Sequence, residues 1–257
     1  MIQLKHISVF CLASVILWGS ACHTASYSLV SVQGGRSEIT SVYDKNPDKE
    51  VLAILAPYKA KVDSVMSPVV GESAMSMVSD RPESLLSNLV ADVLREASKK
   101  YLGKEAEVGL VNVGGLRTSL AEGEITYGNI YQILPFENTL CIVTLTGLQL
   151  KQLFENIAST GGEGISGARM VISNKKLLKV EVGGKPIDEG RIYKVATIDY
   201  LAEGNDGMSA LKLSNEKFLP EGATLRLLFL NYVADLHKQG KKVISRIDGR
   251  VTVKPNK

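Results

Sequence analysis

Four short segments of the sequence place polar or aromatic side chains beside glycine or proline, each at the end of an apolar run. They are residues 112–117 (NVGGLR), 134–138 (LPFEN), 161–167 (GGEGISG) and 199–207 (DYLAEGNDG). Segments of this composition usually line a binding site, so the first question is what Asn112 and Arg117 hold. Taken singly, Phe136 is more often a core residue, Asp206 a turn residue and Arg117 a solvated surface charge.

The composition is that of an ordinary globular chain. The 257 residues are 45% hydrophobic and 22% charged, which is enough for one sizeable core. The net charge of +3 provides no basic field of the kind that binds nucleic acid, so that class of partner is excluded. The body of the chain keeps one cysteine, Cys141, which excludes a disulfide framework. Within its apolar run, Cys141 is expected to be a small buried hydrophobic residue.

The first 21 residues predict an export signal. Lys5 is followed by an apolar run over residues 7–18, which has the length of a signal sequence and is too short to span a membrane. Small residues then precede Cys22, as they do at the cleavage site of a bacterial lipoprotein. We therefore predict a lipid anchor on Cys22 that ties an exported protein to the membrane, on the periplasmic or surface side of a bacterial cell envelope. A plain secretory signal cut near Ala21 is the alternative.

A polar tether over residues 22–48 precedes a body that mixes helices and strands. Apolar residues at helical spacing predict helices over residues 49–66, 84–100, 127–133, 147–157 and 224–238. Extended segments are predicted near 27–32 and over 69–78, 105–113, 140–145 and 251–253, with short strands and turns between 164 and 198. Because these elements lack strict βαβ alternation, we predict the α+β class, with mixed sheets flanked by helices.

In this order, the four segments resemble the C-terminal domain of the 5′-nucleotidase family. The sequence around them is similar as well, at residues 87–92 (SNLVAD), 123–126 (GEIT), 146–147 (TG) and 193–197 (YKVAT). A lone GG-x-R is a weak signal, whereas four motifs in register are a strong one. The resemblance covers about residues 49–253. It implies a single layered domain of that type over residues 49–257, which recognises a nucleotide or nucleoside.

The resemblance implies a clamp for the nucleotide base. In the family two aromatic rings hold the base, and the matching positions here are Phe136 and Tyr200, whose stacking tolerates different bases. Asn138 falls on the asparagine that bonds the edge of the base. Asp206 falls on the aspartate that accepts hydrogen bonds from the ribose hydroxyls, as acidic residues do in other nucleotide sites.

The resemblance also implies a polar wall beside that clamp. Asn112 and Arg117 fall on family residues that face polar groups, and the planar guanidinium of Arg117 suits a phosphate or a sugar hydroxyl. Gly114 and Gly115 let the backbone approach the ligand closely. Arg81 is a further candidate whose register with the family is open. A plain loop explains three other glycines equally well: Gly161, Gly162 and Gly164.

Three positions depart from the family pattern. Val113 stands where a third glycine is usual, Asn205 where the family commonly has glycine, and Tyr200 where it often has phenylalanine. Tyrosine still stacks on a base. Asparagine tolerates a positive φ better than most residues, so we expect a turn at Asn205, whereas valine at position 113 does not tolerate it.

The resemblance implies a binding domain that lacks its own catalytic centre. In the family, hydrolysis belongs to an N-terminal metallophosphatase domain, which holds two metal ions through His, Asp and Asn ligands. The histidines here are His6 in the signal, His23 beside the anchor and His237 near a helix end, where it suits the helix dipole. We find no nucleophile elbow, P-loop or Cys–His pair. We therefore expect no catalytic residue, cofactor or metal ligand in this chain, and divalent metals only in a partner protein.

Three functions remain open at this point. The first is a split enzyme, in which this chain recognises the nucleotide and a separately encoded metallophosphatase cuts it. The second is a stand-alone binding protein for nucleosides or nucleotides on the cell envelope. The third is a structural or interaction protein that has lost the site. Five retained residues disfavour the third function: Asn112, Arg117, Phe136, Asn138 and Asp206.

Overall fold

The computed structural model describes residues 27–214 and 216–255. Two units are distinguished, Met1–Leu52 and Ala53–Lys257. In the first, residues 27–48 are exposed, and their described structure is irregular apart from a 3₁₀ turn at Tyr43–Lys45. The strand predicted near 27–32 is therefore wrong, because no described strand pairs with it and a lone strand cannot satisfy its backbone hydrogen bonds. The predicted signal over residues 1–21 and the anchor Cys22 lie outside the described residues.

The elements largely follow the sequence pattern. The helices are α1 (Lys49–Met66), α2 (Leu85–Ala97), α3 (Lys99–Leu102), α4 (Tyr127–Ile133), α5 (Gly147–Thr160), α6 (Asp199–Ala202), α7 (Ser209–Lys212) and α8 (Leu225–Lys238). The strands are β1 (Val69–Ser73), β2 (Val108–Val111), β3 (Gly123–Thr126), β4 (Leu140–Thr146), β5 (Gly164–Ser166), β6 (Ala168–Ser173), β7 (Lys176–Val182), β8 (Lys185–Pro186), β9 (Ile192–Ile198), β10 (Lys217–Phe218) and β11 (Val251–Val253). No helix among the described residues has the length and apolar character needed to cross a membrane.

Side-chain caps explain why several helices begin where they do. The Ser84 side chain accepts the backbone N–H of Ser87 at the start of α2, and Thr224 does the same at the start of α8. Thr126 and Thr146 form capping boxes at the starts of α4 and α5, which satisfy amide groups that no helical turn can reach. The helix predicted over 84–100 is shorter, since α2 ends at Ala97 and a separate turn, α3, follows it.

The strands form mixed sheets. The largest sheet has the order β10–β4–β9–β2–β5, in which β2 and β9 run parallel and the other neighbours run antiparallel. A second sheet has the order β11–β6–β7–β8, and β1 pairs with β3. The predicted strand over 105–113 is confirmed only for Val108–Val111, because the chain turns into a 3₁₀ helix at Val113–Gly115. Mixed sheets flanked by helices confirm the predicted α+β class.

Helix α2 anchors the core on the largest sheet. Its apolar stripe, including Leu86, Leu89 and Leu94, is buried, and the helix packs on β2, β5 and α8. It lies so close that a Cβ at Gly109 would meet the carbonyl oxygen of Ala91 at 2.6 Å. Cys141 is buried in β4, as predicted. Burial raises the pKa of its thiol to about 11, so at neutral pH it packs as a small uncharged side chain.

Candidate functional site

The topology of the largest sheet brings the chemically interesting segments to one edge. The parallel strands β2 and β9 both end there, and the strands beside them begin there: Val111 pairs with Gly164, and Leu140 pairs with Ile198. Residues that follow β2 and β9, or precede β4 and β5, therefore meet at this edge. They include all or part of the four segments singled out from the sequence: 112–117, 134–138, 161–167 and 199–207.

The segment after β2 is built around a buried amide. The Asn112 side chain lies against Gly115, where an added Cβ would approach its Oδ1 atom to 2.8 Å, so the loop requires glycine at that position. Gly114 is exposed, with open space beside its Cα. Val113 lies in the 3₁₀ turn and is buried. Its φ is not among the positive values of the chain, which explains why valine can stand where the family has glycine.

The segment after β9 presents a carboxylate in a fixed position. The Asn112 Nδ2 group donates to Asp206 Oδ2 at 2.7 Å, and the Tyr200 hydroxyl donates to Asp206 Oδ1 at 2.9 Å. This second hydrogen bond raises the pKa of Tyr200, because it stabilises the protonated phenol. Each carboxylate oxygen has a second lone pair, so Asp206 can still accept two further hydrogen bonds from a ligand.

The backbone at Asp206 differs from the expectation at Asn205. The residue with a left-handed backbone is Asp206 itself, with φ 52°, between two glycines that also have positive φ, Gly204 and Gly207. Asn205 instead donates from its side chain to the Tyr200 carbonyl oxygen at 2.7 Å. A 3₁₀ turn does begin at Asn205, as expected, but the positive φ falls on Asp206 and not on Asn205. Aspartate is among the residues that tolerate this conformation best.

The segment before β4 carries the half-exposed Phe136 ring. A cavity of about 10 Å³ lies beside it and is also lined by Asn112 and Asn138, which is space for about one water-sized group. The Oδ1 atom of Asn112 is buried and has no hydrogen-bond partner in the described part of the chain. A larger cavity of about 800 Å³ between α2, α3 and α8 contains none of the predicted site residues. The candidate site is therefore a shallow surface rather than an enclosed chamber.

The segment before β5 contributes a buried carboxylate, Glu163, which is 1% exposed. Its Oε2 atom accepts the backbone N–H of Val113 at 2.6 Å, and its Oε1 atom pairs with Arg81. Arg81 also donates to the carbonyl oxygen of Gly162 at 2.8 Å. Glu163 therefore ties three parts of the site edge together, and Arg81 lies within that edge.

Comparison with known proteins decides the family. The family model for the 5′-nucleotidase, C-terminal domain, matches residues 64–213. The chain belongs to this family. The match begins within α1 and spans all four segments that meet at the sheet edge.

Curated relatives of the domain are longer proteins. It is 27% identical over 230 residues to the trifunctional nucleotide phosphoesterase protein YfkN of Bacillus subtilis (strain 168), which covers 81% of this chain and 15% of that protein. It is 29% identical over 237 residues to the cell wall protein Lmo0130 of Listeria monocytogenes, covering 81% of this chain and 30% of that protein. The chain thus spans less than half the length of these relatives.

A solved structure shows the same relationship. The 5′-nucleotidase precursor of Thermus thermophilus is 28% identical and matches with a TM-score of 0.69. The match covers 78% of this chain and 42% of that one. The fold described above is therefore that of a 5′-nucleotidase C-terminal domain.

Arg117 stands apart from the rest of the site. Its side chain is exposed, and its Nη1 atom donates to the carbonyl oxygen of Gly114 at 3.1 Å. The structure does not bring it into contact with Asp206 or Phe136. Its guanidinium lies at the rim of the domain, where a charged part of a ligand could reach it.

The glycines of the 161–167 segment are explained by packing. A Cβ at Gly162 would meet the Pro82 carbonyl oxygen at 2.6 Å, and one at Gly164 would meet a Val111 methyl group at 2.7 Å. Gly161 ends α5 with a left-handed backbone, as glycine commonly does at this position. These three positions therefore shape the loop without needing a ligand to account for them.

Two charged residues that position the site were missed from the sequence, Glu163 and Arg226. Arg226 is buried in the first turn of α8 and donates to the carbonyl oxygens of Leu134 and Pro135 at 3.0 and 3.1 Å. It also pairs with Glu137. The signal that could have identified Arg226 is a charge inside the apolar run LRLLFL, because a charge in a buried helical stripe needs partners.

The donor set of the described residues does not fit a metal centre. Over residues 27–214 and 216–255 no group of three or more His, Cys, Asp or Glu side chains is arranged to hold a metal ion. Asp206 and Glu163 are instead hydrogen-bonded to amide, hydroxyl and guanidinium donors. The free acceptor positions of Asp206 suit a ligand that donates hydrogen bonds, such as one with hydroxyl groups.

Proposed function

We propose that this chain is the nucleoside-recognising part of a 5′-nucleotidase-type phosphohydrolase that acts in nucleotide catabolism. The observation that carries the proposal is the Asp206 carboxylate, whose two oxygens are each held by one donor and each keep one free lone pair. The two oxygens can accept from two neighbouring hydroxyls at once. The cis-diol of a ribose presents such a pair.

The remaining site residues surround this carboxylate in a way that suits a nucleoside. Phe136 and Tyr200 are half-exposed aromatic side chains on segments that meet at the same sheet edge. A base stacked on such a ring gains about 1–3 kcal/mol. Asn138 borders the Phe136 cavity and supplies an amide for the edge of the base. Arg117 at the rim supplies a guanidinium for a phosphate.

We assign hydrolysis to a separately encoded metallophosphatase chain. The described residues lack a metal-ligand cluster, whereas relatives named as phosphoesterase or nucleotidase contain this domain as a minor share of their length. In a dimetal site the two ions activate a water and stabilise the charge that develops on the phosphate. This chain would hold the nucleoside end of the substrate while the partner acts on the phosphate.

Calorimetry on the chain alone tests nucleoside recognition. Adenosine and AMP are expected to bind to the wild-type chain and to lose about tenfold or more in affinity in Phe136→Ala and in Asp206→Asn. Phe218→Ala is the matched control, because Phe218 and Phe136 are both 49% exposed. Phe218 belongs to none of the four site segments, and its ring packs against Tyr101 instead. If no compound in a panel of nucleosides and nucleotides binds, or if the control loses as much affinity as Phe136→Ala, the proposal is wrong.

Reconstitution tests the assignment of hydrolysis. The purified chain is mixed with candidate metallophosphatases from the same genome and a divalent metal, and phosphate release from AMP is measured. The mixture should hydrolyse AMP at a rate that neither chain reaches alone. Nucleoside binding with no gain in any mixture would favour the alternative function, a stand-alone nucleoside- or nucleotide-binding protein of the cell envelope.

We further propose that the chain is exported and anchored by lipid at Cys22. Support comes from the sequence before Cys22 and from the similarity to a protein named as a cell wall protein. Palmitate labelling in a bacterial host should mark the wild-type chain and not Cys22→Ala. Equal labelling of both, or labelling of neither, would contradict the anchor.

A further inference from the structure

Helix α1 exposes an apolar stripe on the domain surface. The stripe consists of Leu55, Tyr58, Val62 and Val65, and each of these residues is more than half exposed. None of the residues of α1 is buried. In contrast, the apolar residues of α2 lie in the core. Helix α1 thus has the apolar pattern of a packed helix without a described element that covers it.

The spacing of the α1 stripe is that of a helix-pairing seam. Its members follow one another by three, four and three residues, which keeps them on one line when two helices lie side by side. In proteins most of the stability of a helix comes from the packing of its apolar face. Pro57 lies inside α1 and removes one backbone hydrogen bond from it. Burial of the stripe against a partner would supply the missing stabilisation.

The charges beside the stripe describe what covers it. With 3.6 residues per turn, Lys59 and Lys61 lie on opposite borders of the stripe, while Ala60 lies on the far side of the helix. Lys59 pairs with Asp63 on its own helix, which leaves Lys61 as the stronger cationic border. A matching surface has an apolar strip with carboxylates along its edge. A second copy of α1 would meet the stripe with the same cationic borders, which favours a different protein.

The position of α1 in the chain indicates which protein covers the stripe. The family match begins at residue 64, within the last turn of α1, and it is a match to the C-terminal domain of longer proteins. In the relatives described above, more than half of the chain lies outside the matched part. Helix α1 therefore lies at the edge of the domain where the remainder of such a protein joins.

We propose that the α1 stripe is the docking surface for the metallophosphatase chain. This inference rests on the proposed function, since it names the surface through which the separate catalytic chain is held. No residue of the stripe belongs to the four segments that form the candidate site around Asp206. Docking and nucleoside recognition are therefore separate properties of the domain that can be measured independently.

The test compares two charge insertions on the same helix. Leu55→Glu/Val62→Glu places two carboxylates in the stripe, and Ala53→Glu/Ala60→Glu places two on the opposite side. Residues 22–257 of each form are immobilised, and binding of each exported metallophosphatase encoded by the same genome is measured by biolayer interferometry. We expect one metallophosphatase to bind the wild-type chain and the Ala53/Ala60 variant equally, and the Leu55/Val62 variant at least tenfold more weakly. Adenosine calorimetry should give one affinity for all three forms.

Four results would overturn the docking surface. The first would be a stripe variant that keeps the wild-type affinity for the metallophosphatase. The second would be that no metallophosphatase binds the wild-type chain. The third would be a wild-type dimer in light scattering that is lost in the stripe variant, which would assign the stripe to a second copy of this chain. The fourth would be that vesicles of phosphatidylglycerol bind the wild-type chain and not the stripe variant, which would assign the stripe to a lipid surface. Adenosine binding distinguishes these outcomes from a failure of the proposed function, because all the proposed nucleoside-binding residues lie outside α1.

Discussion

Two loops of the site edge, residues 112–117 after β2 and residues 134–138 before β4, are held by side chains of opposite charge. The 112–117 loop depends on Glu163, a buried acceptor for the Val113 amide. The 134–138 loop depends on Arg226, a buried donor to the carbonyl oxygens of Leu134 and Pro135. In both cases a charged side chain replaces the partner strand that an irregular backbone segment lacks. The two loops border the same small cavity.

The difference between the two anchors lies in their surroundings. Glu163 is 1% exposed, and its ion-pair partner Arg81 is fixed to the same edge. Arg226 is also buried, but its carboxylate partner Glu137 has 70% of its side chain exposed, so solvent can replace that ion pair. The loop carrying Asn112 therefore has the more rigid support. The loop carrying Phe136 has the freedom to adjust to a base.

The largest effect is expected when the acidic anchor is removed. Glu163→Ala leaves the buried Val113 amide without an acceptor and Arg81 without its partner, and should lower the free energy of unfolding by about 3 kcal/mol. Glu163→Gln keeps one acceptor oxygen and should lose less than half as much. Urea denaturation measures both. Glu155→Ala is the control, because Glu155 is exposed on α5. A loss no greater than in this control would remove Glu163 as the anchor of the loop.

A smaller loss is expected when the basic anchor is removed. Arg226→Met leaves two carbonyl oxygens without their donor and removes the contact of the guanidinium with the Tyr131 ring at 4.5 Å. Because carbonyl oxygens tolerate incomplete bonding better than amide groups, we expect a loss of about 2 kcal/mol in the same urea measurement. Adenosine affinity should fall further than in Glu163→Gln, since the Phe136 loop is released. The reverse order of stabilities would contradict the difference between the anchors.

The sequence predicted the elements better than the anchors, for a physical reason. The helices were predictable because apolar residues recur in them at helical spacing. The structure adds local caps at Ser84, Thr126, Thr146 and Thr224, each of which accepts from an amide three positions away. The bond from Val113 to Glu163 crosses 50 positions, and the bond from Arg226 to Leu134 crosses 92. Neither pairing has a local signal. A glutamate among glycines and an arginine in an apolar run each indicate that the charge needs a partner. The sequence does not show which residue that partner is.

Helix α1 and the turn at residues 205–207 also show what the sequence could not predict. The pattern of α1 predicted a helix correctly, but periodicity alone could not show that its stripe faces solvent. The turn at Asn205 was predicted correctly, but the sequence could not show which of its residues is left-handed, because aspartate and asparagine tolerate that backbone similarly. Asp206 adopts it, and hydrogen bonds from Asn112 and Tyr200 hold its carboxylate. The family resemblance placed Asp206 in the site, while only the structure shows how its carboxylate is fixed.

The smallest effect is expected at the hydroxyl of Tyr200, which fixes one carboxylate oxygen rather than a loop. Tyr200→Phe keeps the aromatic ring and removes the donor to Asp206 Oδ1. Urea stability should stay within about 0.5 kcal/mol of the wild type, because the side chain is exposed. Adenosine affinity should fall about fivefold, the equivalent of one hydrogen bond worth about 1 kcal/mol.

A dideoxynucleoside separates this role from stacking. 2′,3′-Dideoxyadenosine lacks the hydroxyls that Asp206 would accept, so Tyr200→Phe should leave its affinity unchanged in the same calorimetric titration. Tyr200→Ala should weaken both ligands, since it also removes the ring, which contributes about 1–3 kcal/mol. If Tyr200→Phe weakened both ligands equally, the hydroxyl would act on the base or on the fold. Tyr200 would then not be the residue that holds the Asp206 carboxylate for the ligand, although Glu163 and Arg226 could still anchor their loops.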